Sequence, residues 1–387
     1  MNIGIDYTSA ANQGAGIGRL TRNIIRALAE IDAQTPTGHR YTLLVQGREM
    51  PYAAGQAGQR NRASGIDHAN WREVCTWISE RWWHRLWHRL RAPIPVEWLV
   101  GPVDLFHSPD FTLPPTRRRT RTVVTVHDLS FMRLPHCFAP ALLEYLNVNV
   151  PAAIRRADLV LADSENTRRD VLELFGIPQE RVLTVLCGVE ERFKPIHDTE
   201  YLESIRRKYG LPARFILSVG TLQPRKNYGT LIQALPRLRD PDIGLVIVGG
   251  KGWLYEGIFE QIQAAALTKR VCLPGFVDDA NLPALYNLAQ VFVLPSLYEG
   301  FGLPPLEAMA CGLPVITSNN SSLPEVVGDA GLLVDAEEVD AWVDALDRLL
   351  ESATLRRTLS ERGRQRAAQF TWPKAATALL AAYESLR

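Results

Sequence analysis

Short segments rich in Val, Ile and Leu alternate with amphipathic helical segments along nearly the whole of this 387-residue chain. Such alternation is typical of parallel sheets that are covered by helices on both faces. In the first half, the predicted strands are 2–7, 41–47, 105–108, 122–128, 159–164 and 181–186. In the second half, they are 215–220, 244–249, 271–273, 291–294, 314–317 and 332–334. The pattern predicts an α/β protein with doubly wound parallel sheets.

A polar segment, 190–212, separates the two sets of strands, and we expect it to contain a linker and an entry helix. The chain is long enough for two α/β domains with full cores. We predict a first Rossmann-like domain over 1–194 and a second over 195–371. Pro373 interrupts a helical pattern, so the final helix, within 372–387, is expected to complete the first domain. Two such domains that face one another would form a central cleft at the carboxyl ends of their strands.

Composition excludes several classes of function. The chain has 43 Lys and Arg against 42 Asp and Glu, and the resulting net charge of +1 gives no reason to expect nucleic-acid binding. Five scattered cysteines without metal-type spacing indicate reduced thiols. The first strand begins directly at the N-terminus, and no apolar run is long enough to cross a bilayer. We therefore expect a soluble cytoplasmic protein.

The most informative segment for function runs from Glu299 to Glu307, in the sequence Glu-Gly-Phe-Gly-Leu-Pro-Pro-Leu-Glu. It follows a predicted buried strand, and its two glycines allow the backbone to approach a ligand closely. The prolines suit the first turn of a helix. A strand, a glycine turn and a helix in this order present free N–H groups to a phosphate. The flanking carboxylates would accept hydrogen bonds from hydroxyl groups, so the segment predicts a phosphate-linked sugar as ligand.

Arg225 and Lys226 lie between a predicted strand and a predicted helix. The planar fork of an arginine and the point charge of a lysine together suit a diphosphate. A basic helix start without any ligand is the alternative, but it would oppose the helix dipole.

A glycine turn, Gly14-Ala15-Gly16-Ile17-Gly18-Arg19, follows the first strand. It does not match the dinucleotide fingerprint, because Arg19 stands where the third glycine would be. Close approach to a substrate and a plain strand–helix turn both remain open for Gly16 and Ile17.

Polar residues also stand at predicted strand ends in the first half. His127 would point into the crevice, where it could bond a sugar hydroxyl or take part in proton transfer. His107 is a weaker candidate that we interpret as structural. Ser164 is interpreted as a helix N-cap, because no Gly-x-Ser-x-Gly elbow surrounds it. We interpret Asp240-Pro241-Asp242 as a turn at the amino end of a strand, and we predict no metal site.

Tryptophans and arginines alternate in one predicted helix over 77–91. This pattern fits a helix at a membrane surface. It equally fits a core helix with a solvated polar face, which is the reading that we favour. The basic run Arg117-Arg118-Arg119 is interpreted as a solvated loop that would help to attract an anionic lipid surface.

These motifs together resemble the retaining glycosyltransferases of family 4, which have the two-domain GT-B architecture. The resemblance covers essentially the whole chain. Its most specific part is the pair Glu299 and Glu307, with seven residues between them. The Gly16-Ile17-Gly18 turn, Val126-His127-Asp128, Pro224-Arg225-Lys226-Asn227 and Leu323-Pro324-Glu325 support it. The chain departs from the family at Thr221, where many members carry an arginine.

The resemblance implies a role for each matched residue. Glu299 would contact the donor hexose, and Glu307 the ribose hydroxyls. Arg225 and Lys226 would hold the diphosphate together with the backbone N–H groups around Phe301, Gly302 and Leu303. His127 would lie beside the donor sugar and Val277 beside the base.

The implied reaction transfers a hexose from a nucleotide diphosphate sugar to a saccharide or a lipid-linked saccharide, with retention and without a metal or other cofactor. The motifs around His127 and Lys226 resemble those of mannosyltransferases that use GDP-mannose. A UDP-sugar donor, a nucleotide-sugar epimerase of the same fold and a non-catalytic nucleotide-sugar-binding protein remain alternatives. A cytoplasmic location with peripheral contact at the inner membrane face would suit a lipid-linked acceptor.

Overall fold

The computed structural model describes residues 1–14, 16–47 and 63–387, which form two compact units. The first unit comprises Met1–Leu129, Tyr145–Gly188 and Trp372–Arg387, and the second comprises Ser130–Glu144 and Val189–Thr371. The segment Ser130–Glu144 belongs to the second unit, in which Trp253 Nε1 donates to the carbonyl of Cys137 at 2.7 Å. The proposed limits at 194 and 371 stay predictions.

The first unit is built on a seven-stranded parallel sheet in the order β3-β2-β1-β4-β5-β6-β7. Its strands are β1 (Asn2–Asp6), β2 (Arg40–Gln46), β3 (Trp71–Thr76), β4 (Leu105–Ser108), β5 (Arg121–Val126), β6 (Leu159–Ala162) and β7 (Val182–Thr184). Chain order reverses at β1, so the carboxyl ends of β1 and β4 form a switch point, where α/β proteins place their ligands.

The second unit contains a six-stranded parallel sheet in the order β10-β9-β8-β11-β12-β13. Its strands are β8 (Phe215–Val219), β9 (Gly244–Val248), β10 (Val271–Gly275), β11 (Val291–Leu294), β12 (Val315–Ser318) and β13 (Leu332–Val334). The switch point here lies between β8 and β11. Val291, Phe292, Val293 and Leu294 are all fully buried, as expected for a central strand covered on both faces.

Helices connect these strands. In chain order they are α1 (Thr8–Asn12), α2 (Ile17–Gln34), α3 (Glu80–His84), α4 (Glu97–Val100), α5 (Ser130–Arg133), α6 (Pro140–Arg156), α7 (Glu165–Phe175), α8 (Thr199–Tyr209), α9 (Tyr228–Ala234), α10 (Glu256–Ala264), α11 (Leu282–Leu288), α12 (Leu303–Ala310), α13 (Leu323–Val327), α14 (Val339–Glu351), α15 (Ala353–Ala367) and α16 (Trp372–Glu384). The predicted doubly wound α/β fold is confirmed in each unit. In the described part of the chain, no helix combines the length and the apolar character needed to cross a membrane.

The final helix, α16, packs against α2 of the first unit. The hydroxyl of Tyr383 lies 2.7 Å from Nδ1 of His107, and both side chains are buried. Nε2 of His107 is 2.9 Å from the hydroxyl of Thr125. Burial lowers the pKa of His107 to about 3, so this histidine is neutral and serves the packing of the core.

Two local features differ from the prediction. Strand β3 was not predicted, because it is an edge strand whose residues Arg72 and Glu73 break the apolar pattern. The single helix predicted over 77–91 is present, but only over residues 80–89. Helix α3 begins at Glu80 and continues as a π-helical turn over Arg85–Arg89, which leaves Trp77 outside it.

Candidate active site

A glycine turn in the second unit leads from β11 into helix α12. Gly302 has φ +119° and stands directly before Leu303, the first residue of α12. A side chain at this position would be strained, and its Cβ would lie 3.0 Å from Leu323 of α13. Pro304 and Pro305 occupy the first turn of the helix, where a missing backbone N–H leaves no bond unmade. The predicted strand, glycine turn and helix are therefore present.

Glu299 follows Arg225 by 74 residues and Lys226 by 73 in the sequence, yet its side chain contacts both cations in this structure. Nζ of Lys226 donates to Oε1 of Glu299 at 2.5 Å, and Nη1 of Arg225 donates to Oε2 at 3.1 Å. The hydroxyl of Ser296 donates to Oε1 at 2.5 Å. We call the set Arg225, Lys226, Ser296 and Glu299 the ion cluster. It brings together three of the predicted site residues.

The ion cluster is buried and charged. Glu299 and Lys226 are each only 7% exposed. Burial alone would raise the pKa of Glu299, but Lys226 and Arg225 lower it to about 2. The carboxylate is therefore ionised at neutral pH, and the cluster carries an excess of one positive charge.

Local backbone structure holds Lys226 in place. Pro224–Lys226 form a single helical turn that ends at Asn227, which has φ +53° and donates from Nδ2 to the carbonyl of Ala336 at 2.7 Å. The N–H of Leu297 donates to the carbonyl of Arg225 at 2.9 Å and so ties this turn to the loop after β11. A Cβ at Gly220 would lie 3.1 Å from Cε of Lys226, so the missing side chain leaves room for the lysine stem.

Two serines hold the loop that carries Glu299, and the sequence analysis missed both. Ser322 donates to the carbonyls of Glu299 at 2.9 Å and Phe301 at 2.6 Å. The hydroxyl of Ser321 accepts from the N–H of Glu299 at 2.9 Å. Their only sequence signal is a Ser-Ser pair directly before α13. These bonds hold the backbone of the loop at Glu299 and Phe301.

Glu307 lies farther along α12 and is 2% exposed. The hydroxyl of Tyr286, on α11, donates to its Oε2 at 2.9 Å. Val277, which follows β10, is buried, and so is Phe301, whose ring makes an edge contact with Phe370. The roles predicted for these residues toward a donor stay predictions.

His127 follows β5 in the first unit, with both ring nitrogens engaged. Nδ1 lies 2.7 Å from Oδ2 of Asp163, and Nε2 lies 3.0 Å from the carbonyl oxygen of Pro109. Burial would lower the pKa of His127, but Asp163 and the nearby Asp110 raise it to about 9. At neutral pH the imidazolium therefore donates to both partners. This state suits an electrostatic role better than the removal of a proton.

Two glycines of the turn in the first unit, Gly16 and Gly18, differ in their surroundings. Gly18 lies in α2, where a Cβ would come within 2.5 Å of the carbonyl oxygen of Ser9, so glycine is required there for packing. Gly16 has φ +59°, none of the described residues beyond its neighbours in the chain comes within 4 Å of where its Cβ would lie, and Ile17 begins α2. Ala15, within the same predicted turn, lies outside the described residues.

Other candidates have structural partners. Ser164 caps α7 by accepting from the N–H of Thr167 at 3.0 Å, which confirms the N-cap interpretation. Asp240 accepts from the N–H of Asp242 at 3.1 Å and pairs with Arg214 at 2.8 Å, so this segment is a turn. Within the described residues, no group of three or more His, Cys, Asp or Glu side chains could hold a metal ion.

Comparison with known families covers both units. The family described as Glycosyltransferase Family 4 matches residues 14–193, and the family described as Glycosyl transferases group 1 matches residues 203–366. The O-antigen chain mannosyltransferase B of Escherichia coli is 36% identical over 308 residues, which cover 77% of this chain and 79% of the relative. The serotype-specific mannosyltransferase WbdA of Escherichia coli is 34% identical over 265 residues, but these cover 66% of this chain and only 32% of that larger protein.

Among solved structures, Anabaena HepE in complex with UDP and glucose matches with a TM-score of 0.74 and 18% identity over the full length of both chains. This match supports the fold alone. The sequence matches carry the family assignment, and the site geometry agrees with it. The chain belongs to glycosyltransferase family 4 and is a glycosyltransferase.

Proposed function

We propose that this enzyme transfers mannose from GDP-mannose to a saccharide acceptor with retention of the anomeric configuration. The observation that carries the proposal is the ion cluster, in which two cations share one carboxylate beside the N-terminus of α12. The mannosyltransferase relatives support mannose as the sugar. A UDP-sugar is the second candidate donor, because the structural neighbour HepE was solved with UDP.

In our account, the donor diphosphate displaces Glu299 from the cations. Phosphate oxygens would then accept from Arg225 and Lys226, and from the backbone N–H groups around Phe301, Gly302 and Leu303 that precede and open α12. The released carboxylate of Glu299 would accept hydrogen bonds from hydroxyl groups of the hexose. The carboxylate of Glu299 thus offsets one of the two positive charges before the donor binds and orients the sugar afterwards.

Departure of the diphosphate is the step that this arrangement stabilises most. Negative charge grows on the leaving phosphate as the glycosidic bond breaks, and cations fixed in a dry site stabilise that charge. Glu299 is not assigned as a nucleophile, because the cations reduce its basicity before the donor binds and, in our account, hydroxyl groups of the hexose engage its carboxylate afterwards. We therefore propose a front-face route in which the leaving phosphate takes the proton of the acceptor hydroxyl.

No metal or other cofactor is required by this mechanism, because Arg225 and Lys226 supply the positive charge that a metal ion would otherwise supply. The test is to measure transfer from GDP-mannose to octyl α-mannoside with and without EDTA. We expect equal rates and an α-linked product. Loss of activity in EDTA would contradict the metal-independent route.

The donor is tested by thermal shift with GDP, UDP and ADP, followed by turnover of the matching sugar nucleotides. We expect GDP to stabilise the protein most and GDP-mannose to be the donor that is consumed with acceptor. Stabilisation by UDP alone, with turnover of a UDP-sugar, would overturn the assignment to GDP-mannose.

We also propose that the enzyme works in the cytoplasm, in peripheral contact with an anionic membrane surface. The tryptophans of the segment over 77–91 differ in exposure. Trp83 and Trp87 are buried and stack with their ring centres 4.6 Å apart, whereas Trp77 is 83% exposed and Trp82 is 58% exposed. The guanidinium of Arg85 lies 5.1 Å from the ring centre of Trp82. Exposed indoles beside arginines suit the interface of an anionic bilayer.

Co-sedimentation with vesicles tests this contact. We expect binding to phosphatidylglycerol vesicles but not to phosphatidylcholine vesicles, and we expect the double variant Trp77→Ala/Trp82→Ala to lose it. Phe259→Ala, which removes an exposed aromatic ring in the second unit, is the control and should bind as the wild type does. Unchanged binding of the double variant would exclude this surface.

A further inference from the structure

A small acidic cavity lies at the carboxyl edge of the first sheet. Asp6 ends β1, Gln46 ends β2, and Asp110 follows β4, while Glu80 and His84 reach the same cavity from α3. We call this the acidic pocket. Its volume is about 20 Å³, which is enough for one hydroxyl-sized group. It lies at the switch point of the sheet, where β1 and β4 diverge to opposite sides.

No lysine or arginine among the described residues lines the acidic pocket, and the cation that acts on Asp110 is the His127 imidazolium, which lowers its pKa less than burial raises it. Burial raises the pKa of both Asp6 and Glu80, and it raises the pKa of Asp110 to about 6. Burial also lowers the pKa of His84, so that residue is neutral, and its Nδ1 lies 2.8 Å from the hydroxyl of Tyr145. The pocket therefore offers hydrogen-bond acceptors and repels anions.

Gln46 gives an independent indication of a ligand. Its backbone is fully used, since its N–H donates to the hydroxyl of Thr8 at 3.2 Å and its carbonyl accepts from Nδ2 of Asn12 at 3.1 Å. Its side chain lines the pocket and the residue is only 2% exposed, yet Oε1 has no hydrogen-bond partner within the described residues. A buried amide oxygen without a partner is unfavourable, and a donor group in the pocket would satisfy it.

We propose that the acidic pocket binds a hydroxyl group of the saccharide acceptor, with Gln46, Glu80 and Asp110 as the recognising side chains. The inference rests on the proposed function, because it assigns the acceptor to the class of neutral sugars. A hydroxyl group fits a cavity of this size, can donate a hydrogen bond to Gln46 and does not need a charged partner. An anionic sugar is excluded by the carboxyl groups around the cavity.

The test measures saturation-transfer NMR on the full chain, with methyl α-mannobioside as the probe and no nucleotide present. We expect saturation of the probe by the wild type, and at least a tenfold weaker affinity in each of Gln46→Met, Glu80→Gln and Asp110→Asn. The control Glu30→Gln changes an exposed carboxyl group on α2 and should bind as the wild type does. Thermal shift with GDP should be the same in all five proteins, which excludes general unfolding as the cause.

Equal saturation in the wild type and the three pocket variants would overturn the proposal, and so would absence of saturation by the wild type. Tighter binding of methyl α-glucosaminide than of methyl α-glucoside would also overturn it, because the pocket would then select an ammonium group. Failure of the proposed function gives a different result: GDP and GDP-mannose would fail to stabilise the protein while the neutral sugar still binds.

Discussion

Glu299 of the second unit and Asp110 of the first are both acidic residues near the carboxyl edge of a doubly wound sheet. Their surroundings shift the pKa of the two carboxyl groups in opposite directions. Lys226 and Arg225 lower the pKa of Glu299 to about 2, whereas burial raises the pKa of Asp110 to about 6. The difference comes from the placement of cations and not from depth in the fold. A carboxylate between two cations is suited to exchange with a phosphate, and a carboxyl group whose pKa burial raises despite the nearby His127 imidazolium is suited to bind a neutral hydroxyl.

The largest effect is expected when the ion cluster loses its lysine. Lys226→Ala removes a buried positive charge from the leaving diphosphate, and we expect kcat to fall by about a thousandfold. The measurement is steady-state transfer from GDP-mannose. Lys251→Ala, which removes an exposed lysine of the same unit, should leave kcat unchanged. A kcat within threefold of wild type for Lys226→Ala would break the contrast between the units.

The second effect concerns stability. Lys226→Met leaves Glu299 with one cation fewer in a buried site, and we expect a loss of roughly 3 kcal/mol in the free energy of unfolding. The double variant Lys226→Met/Glu299→Gln removes both charges and should recover part of that loss. Urea unfolding of the single and double variants measures the coupling. Additive losses would show that the two charges do not stabilise one another.

The pH dependence of stability separates the units further. The pKa of His127 is raised from 6.5 to about 9, so its stabilising contribution is fully present below pH 6.5 and is lost as the pH rises through 9. The shift corresponds to at most about 3 kcal/mol. We expect His127→Gln to flatten the loss of stability between pH 6.5 and 9, measured by urea unfolding. An unchanged slope would mean that His127 is not the titrating group.

Glu299 contributes in the opposite direction. Its pKa is lowered from 4.5 to about 2, so its contribution is present above pH 4.5 and is lost as the pH falls through about 2. The same unfolding series, extended below pH 4.5, supplies this comparison, with Glu299→Gln as the variant.

A smaller effect is expected at Glu307. Glu307→Ala removes the acceptor of the Tyr286 hydroxyl and, in our account, a ribose contact, so KM for GDP-mannose should rise about tenfold with little change in kcat. Tyr286→Phe keeps the carboxylate and should change KM less. A larger fall in kcat than rise in KM for Glu307→Ala would move this residue from donor binding to the chemical step.

Much of this fold could be predicted from the sequence, because central strands of parallel sheets are continuous apolar runs. The predicted limits of the inner strands β4 and β11 match the observed ones, and so do those of the edge strand β13. Strand β3 could not be predicted in this way, since an edge strand tolerates charged residues such as the exposed Arg72 and the half-buried Glu73. The change from α-helix to π-helix at Arg85 could not be predicted either, because no Pro or Gly lies beside it in the sequence.

For the candidate site, the sequence predicted the residue types but not their contacts. Motif spacing identified Lys226 and Glu299 separately, while their direct bond depends on how β8 and β11 pair in the sheet. The serines that hold the Glu299 loop and the unsatisfied oxygen of Gln46 depend on three-dimensional neighbours, and the sequence carries no periodic signal for them.

The central claim is that Arg225 and Lys226 receive the diphosphate of the donor. Isothermal titration of GDP and of guanosine against the wild type and Lys226→Ala tests it most directly, because the two ligands differ only in the phosphates. We expect at least a thirtyfold loss of affinity for GDP (about 2 kcal/mol) in Lys226→Ala, with unchanged affinity for guanosine. Equal affinity of the two proteins for GDP would contradict it.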